Sequence, residues 1–186
     1  MEMSDWDINL GFACVIAGRP DLKASDGRTP KNLPHLRHSL EKLLPVLDYL
    51  EEIDVSMFRL PSNFIPYATH PNHPEFEWKK QIRESKKEFQ LVRERLAERP
   101  VRLSFHPSQF VLLNSPRSEV VRSSIEELRW QSRVLDELHC SPEARVLLHV
   151  GGVYDDRRAA EDRMYKNIER LPAFVRNRFA LENDDV

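Results

Sequence analysis

The sequence has little cysteine, no long apolar run and no surplus of positive charge, and each shortage removes a class of protein. Its two cysteines, Cys14 and Cys140, have no metal-type spacing. A disulfide-stapled scaffold is therefore excluded, and a reducing, cytoplasmic setting is expected. The longest apolar runs are strand-sized, so no membrane-spanning helix is expected. The acidic start from Met1 to Asp7 lacks the apolar core of a signal peptide. Net charge is −2, which argues against a protein coated in basic residues, although positive charge confined to one groove stays compatible with it. No glycine-rich phosphate loop follows the first apolar stretch, which weighs against a dinucleotide-binding sheet.

What is present is the composition of one soluble globular domain over residues 1–186, 40% hydrophobic and 31% charged. Hydrophobic periodicity alternates between strand and helix along it. Residues 8–17 read as a buried strand. Leu36, Leu40, Leu43, Leu47 and Leu50 mark one face of a helix over 32–52, with Pro45 expected to bend it. A strand over 54–60 and a polar, proline-studded loop over 61–74 follow. Trp78, Ile82, Phe89, Val92 and Leu96 predict a helix over 75–98. Strands over 101–105, 145–150 and 179–182 alternate with helices over 118–139 and 156–177.

Alternating units of this kind imply a parallel sheet with helical crossovers, either open and doubly wound or closed into a barrel. The last three strands share one frame. Arg102 is followed four residues later by His106, Arg145 by His149, and Arg178 by Glu182. Residues of the opposite parity are apolar: Val101, Leu103 and Phe105, then Val146, Leu148 and Val150, then Phe179 and Leu181. Apolar residues would face the helices, and the polar ones the other side, with His, His and Glu at the carboxyl ends. Doubly covered open sheets do not tolerate arginine and histidine so regularly in their middle. A TIM-type (β/α)8 barrel fits better, with its active site at the carboxyl-end mouth. A complete barrel needs eight units and about 250 residues. The five strands and four helices counted here are expected to be its N-terminal part, truncated after about the fifth strand.

His106, His149 and Glu182 at neighbouring strand ends form a ligand set suited to Zn²⁺ or Mn²⁺. The alternative is a pair of hydrogen-bonded interior histidines beside a carboxylate. His70, in the loop after the second strand, lies on the same side of the sheet; loop histidines are usually solvated. Gln109 and Phe110 follow His106 on the mouth loop, either as packing or as a polar–aromatic pair able to touch a nucleobase. His35, His38, His73 and His139 have no such placement, and Lys79, Lys80, Lys86, Lys87, Arg157 and Arg158 read as solvated helix faces.

Several stretches resemble the UV damage endonuclease family. They are Leu10-Gly-Phe-Ala-Cys14, Phe58-Arg-Leu-Pro-Ser-Asn-Phe-Ile-Pro-Tyr-Ala-Thr-His-Pro71, Phe105-His-Pro-Ser-Gln-Phe110, Leu113-Asn-Ser115, His149-Val-Gly-Gly-Val-Tyr154 and Ala180-Leu-Glu-Asn-Asp-Asp185. The resemblance implies a metal-dependent barrel enzyme that nicks double-stranded DNA 5′ to pyrimidine dimers, 6-4 photoproducts and abasic sites. Divalent cations are implied as cofactors, Mn²⁺ first and Zn²⁺ second. Carried over by position, His70, His106, His149 and Glu182 resemble metal ligands. His106, His149 and Glu182 would be catalytic through the metal, with Glu182 bridging two ions. Gln109, Phe110 and Phe12 resemble residues that meet the lesion. The chain departs from the family pattern at Phe12 and Phe110, where tyrosine is common, at Ile16 in place of asparagine, and at Ser108 in place of glycine.

No obligate protein partner is expected. Two other functions share this architecture: a metal-dependent sugar isomerase or epimerase, and an inactive fragment that only binds DNA.

Overall fold

The computed structural model describes residues 10–182. They form an α/β fold around one parallel sheet of five strands. In chain order these are β1 (Gly11–Ala13), β2 (Met57–Leu60), β3 (Arg102–Phe105), β4 (Val146–His149) and β5 (Phe179–Glu182). The helices between them are α1 (Leu36–Glu52), α2 (Trp78–Glu84), α3 (Lys86–Glu98), α4 (Ser118–Glu137), α5 (Arg157–Glu169) and α6 (Ala173–Arg176).

Strand order in the sheet is β1-β2-β3-β4-β5, the order of the sequence. Right-handed crossovers in unbroken order place every helix on the same face, whereas a doubly wound sheet needs a reversal. The arrangement is therefore barrel-like. On the helix face, Phe58, Leu60, Leu103, Phe105, Val146 and Leu148 are all but fully buried against leucines of α1 and against Phe89, Val92, Leu128 and Leu135. Each such side chain contributes about 1.5–3 kcal/mol. The other face carries Met57, Arg59, Ser104 and Leu147, half-buried, with Arg102 and Arg145 exposed at its lower edge.

Four expectations are corrected. Of the first strand, expected over 8–17, residues 8 and 9 lie outside the described residues; the strand covers Gly11–Ala13 and ends where Cys14 adopts a left-handed φ of 50°. Gly11 is required there, since a Cβ would stand 2.5 Å from that of Met57. The helix predicted over 75–98 is broken into α2 and α3 at Ser85, whose buried hydroxyl donates to the Gln81 carbonyl at 2.8 Å. That over 156–177 ends at Glu169 and resumes as α6, because Pro172 lacks an N–H and disfavours a helical residue before it. Lastly, Arg178 does not share the open face with Arg102 and Arg145. It is buried against the end of α4, with Nε 2.7 Å from Asp136 Oδ1 and its other nitrogens donating to the carbonyls of Cys140, Ser141 and Ala144.

Helix α1 runs through Pro45, whose missing N–H falls on the solvent side. Its buried face is the leucine stripe read from the sequence. Among the described residues no helix is long and apolar enough to cross a membrane.

Candidate metal centre

Strand register brings the site together. Phe105 pairs with Val146, so His106 stands level with Leu147, and His149 lies two residues further along. His149 in turn pairs with Glu182. The two-residue stagger keeps all three side chains on one face. Ligand atoms of His106, His149 and Glu182 lie within 4.8 Å of one another, and among the described residues no other such group of three or more occurs.

His106 Nε2 is 2.7 Å from Glu182 Oε2, and the two imidazole rings stand edge to face with centroids 4.5 Å apart. On its other side His106 Nδ1 lies 3.1 Å from the Pro107 carbonyl. Both neighbours only accept, so with the Nδ1 proton directed at the carbonyl, the Nε2···Oε2 gap is left for a second proton or for a cation. Only 15% of the His106 side chain is exposed, against 45% for Glu182, so the group opens toward solvent at the carboxylate. Two imidazoles and a carboxylate converging with their lone pairs are a donor set that fits a divalent cation.

The other candidates are placed differently. His70 does not join the trio; it is exposed, 4.8 Å from the His73 ring, and its Nδ1 accepts from the Asn72 N–H at 3.2 Å. Gln109 and Phe110 sit at the tip of a turn closed by the Val111 N–H donating to Ser108 O at 2.9 Å. Phe110 is 74% exposed, as a packing residue would not be. Phe12 is not brought to the site. Strand parity points it to the helix side, where it packs edge-on against Phe58 at 5.5 Å. His35, His38 and His73 have structural partners in Glu84, Glu41 and Glu75.

Residues without an assigned role in the sequence build the mouth. Glu127 on α4 accepts from the Thr69 hydroxyl and from Trp130 Nε1, and burial pushes its carboxyl pKa up. Gln81 donates to the carbonyls of Pro66 and Phe76 and accepts from the Leu36 N–H, tying the β2 loop to the start of α1. The loop after β3 is held by Ser124 Oγ, which accepts from Leu112 N–H, and by Asn167 and Arg163, which donate to the carbonyls of Leu113 and Asn114. Leu113-Asn114-Ser115 was visible as a motif; nothing in its residue types signals this anchoring.

The family model described as UV-endonuclease UvdE matches residues 22–186. This chain belongs to that family. A UV DNA damage endonuclease of Bacillus cereus (strain Q1) is 32% identical over 183 residues, covering 98% of this chain and 56% of the relative. Another from Bacillus thuringiensis subsp. konkukian (strain 97-27) is also 32% identical over the same span. The crystal structure of SacUVDE superposes with a TM-score of 0.79 at 28% identity, over 96% of this chain and 61% of that one. The chain thus spans a little over half the length of these UvdE relatives.

Proposed function

We propose that the protein carrying this sequence is a metal-dependent DNA repair endonuclease. It nicks duplex DNA 5′ to UV photoproducts (pyrimidine dimers and 6-4 photoproducts) and to abasic sites. In this reading the five parallel strands are the front of a (β/α)8 barrel. The observation that carries the proposal is the convergence of His106, His149 and Glu182 in a chain of the UvdE family.

His106, His149 and Glu182 would hold the cation, with His70 of the β2 loop as a further ligand once its Nδ1 is released from the Asn72 N–H. Mn²⁺ suits imidazole mixed with carboxylate, and Zn²⁺ is the second choice. A divalent cation supplies charge neutralisation at a phosphodiester and an acidified water. The chain's own residues supply position. The Pro107 carbonyl would accept the Nδ1 proton of His106 once a cation takes Nε2. Gln109 offers a hydrogen bond and Phe110 a stacking face on a turn that projects into solvent. Photoproducts are already poorly stacked, so extruding them against such a turn costs less than extruding a normal base.

The test is nicking of UV-irradiated duplex with Mn²⁺, the cut mapped relative to the lesion, with unirradiated duplex as control. Lesion-dependent 5′ nicks that vanish in His106→Ala are expected. Undiminished cutting in that variant would falsify the site, and conversion of small sugars without DNA binding would replace the reading with the isomerase one.

A further inference from the structure

We infer that Asn114 is a positioning residue for the metal centre: its side chain joins the loop carrying Gln109 and Phe110 to the turn that follows His149, and so sets where that imidazole stands. The inference rests on the reading of His149 as a metal ligand.

Asn114 is 2% exposed, and its Nδ2 donates to the Gly152 carbonyl at 2.9 Å. Its own backbone cannot drift. Arg163 Nε on α5 donates to the Asn114 carbonyl at 2.7 Å, Asn167 Nδ2 to the preceding carbonyl at 2.7 Å, and the Leu112 N–H is held by Ser124 of α4 at 2.8 Å. The amide is therefore a fixed post rooted in two helices.

What it holds is a segment that needs holding. β4 ends at His149, and Val150 leads directly into Gly151 and Gly152. Paired glycines give the chain wide backbone freedom just past the ligand. Gly151 has φ +83°, and a Cβ on it would stand 2.8 Å from Asn114 Oδ1 and 2.9 Å from Leu112 Cδ2. The backbone thus leans against the asparagine side chain at a distance only glycine allows, and the Nδ2 bond closes the contact one residue later.

Asn114 Oδ1 is buried with no hydrogen-bond partner. An apolar side chain would avoid that cost, so the amide is not there for stability alone. Its useful half is the donor, which supplies the stiffness that Gly151 and Gly152 give up. The same loop presents the turn from Ser108 to Val111. Metal ligand and lesion-facing turn are in this way referred to one rigid strut, as outer-shell partners of metal ligands commonly are.

The test is calorimetric titration of Mn²⁺ into the 186-residue chain and its variants. Asn114→Ala is expected to weaken Mn²⁺ about tenfold, in the range for outer-shell partners. In a His149→Ala background the same change is expected to have no further effect. Asp26→Asn weakens a buried hydrogen-bond set in the loop before α1, away from this strut, and is expected to lower the melting temperature while leaving Mn²⁺ affinity unchanged. Gly151→Ala disturbs the contact from the other side and should weaken Mn²⁺ comparably, which covers the case in which Asn114→Ala does not fold. Wild-type affinity in Asn114→Ala, additivity with His149→Ala, or an equal loss in Asp26→Asn overturns the inference. Wild-type affinity in His149→Ala itself removes the metal-ligand reading, and the inference with it.

Discussion

The Nε2 atom of His106 and the Oε2 atom of Glu182 are 2.7 Å apart, although 76 positions separate them in sequence and their strands are not neighbours in the sheet. Two lone-pair atoms at that distance need a proton or a cation between them. The contact closes because the stagger of β4 lifts His149 beyond His106 and aligns it with Glu182. Either His106→Ala or Glu182→Ala should therefore weaken Mn²⁺ binding by at least about tenfold, since ligands matter no less than their outer-shell partners. Calorimetric titration checks this, and retained affinity in both variants would argue for a purely hydrogen-bonded pair.

Phe110 projects 74% of its surface into solvent at the tip of its turn. Phe110→Ala should leave the melting temperature almost unchanged, as substitutions away from the core shift stability by about 0.5 kcal/mol or less. Binding to irradiated duplex should weaken by about 1–3 kcal/mol, the worth of one stacked base. Fluorescence anisotropy with irradiated and unirradiated duplex measures both the loss and its lesion dependence.

Asp26 contributes to stability in acid. Burial pushes its carboxyl pKa up, but hydrogen bonds from the Arg28 guanidinium and from the backbone N–H groups of His35 and Arg28 outweigh that and hold it at about 2, against an ordinary 3.8. A folded-state pKa below the unfolded one contributes stability above the unfolded value and loses it as pH falls through the folded value. About 2 kcal/mol should therefore disappear between about pH 4 and pH 2. Urea unfolding across that window should show a steeper loss in the wild type than in Asp26→Asn.

Arg178 is a structural cation. It pairs with Asp136 and donates to three backbone carbonyls beyond the end of α4. Arg178→Met should destabilise by roughly 3 kcal/mol, because it strands a carboxylate and buried carbonyls together. Arg178→Lys should not restore the loss, since one ammonium cannot span the fork. Equilibrium unfolding of the two variants distinguishes these outcomes, and full recovery in the lysine variant would show that charge alone suffices there.

Legibility followed periodicity. The leucine stripe of α1 and the alternation of β3 and β4 were visible because a regular element repeats its buried face at a fixed interval. The breaks at Ser85 and after Glu169 were not, because an amphipathic stripe continues across a kink that a single hydroxyl or proline introduces. Phe12 and Arg178 show the same limit. Phe12 carries family resemblance yet packs on Phe58, while Arg178 fits the strand frame yet turns toward α4.

Sequence alone determined the succession of strands and helices, the parity that separates the helix face from the face bearing His106 and His149, and the family. These are local properties, carried by spacing and residue type. Tertiary structure alone decided that His106 meets Glu182 and His70 does not, that Asn114 braces the turn after His149, and that Arg178 is buried. Those outcomes depend on strand register and on which carbonyls lack donors once the helices have packed, quantities that no window of sequence contains.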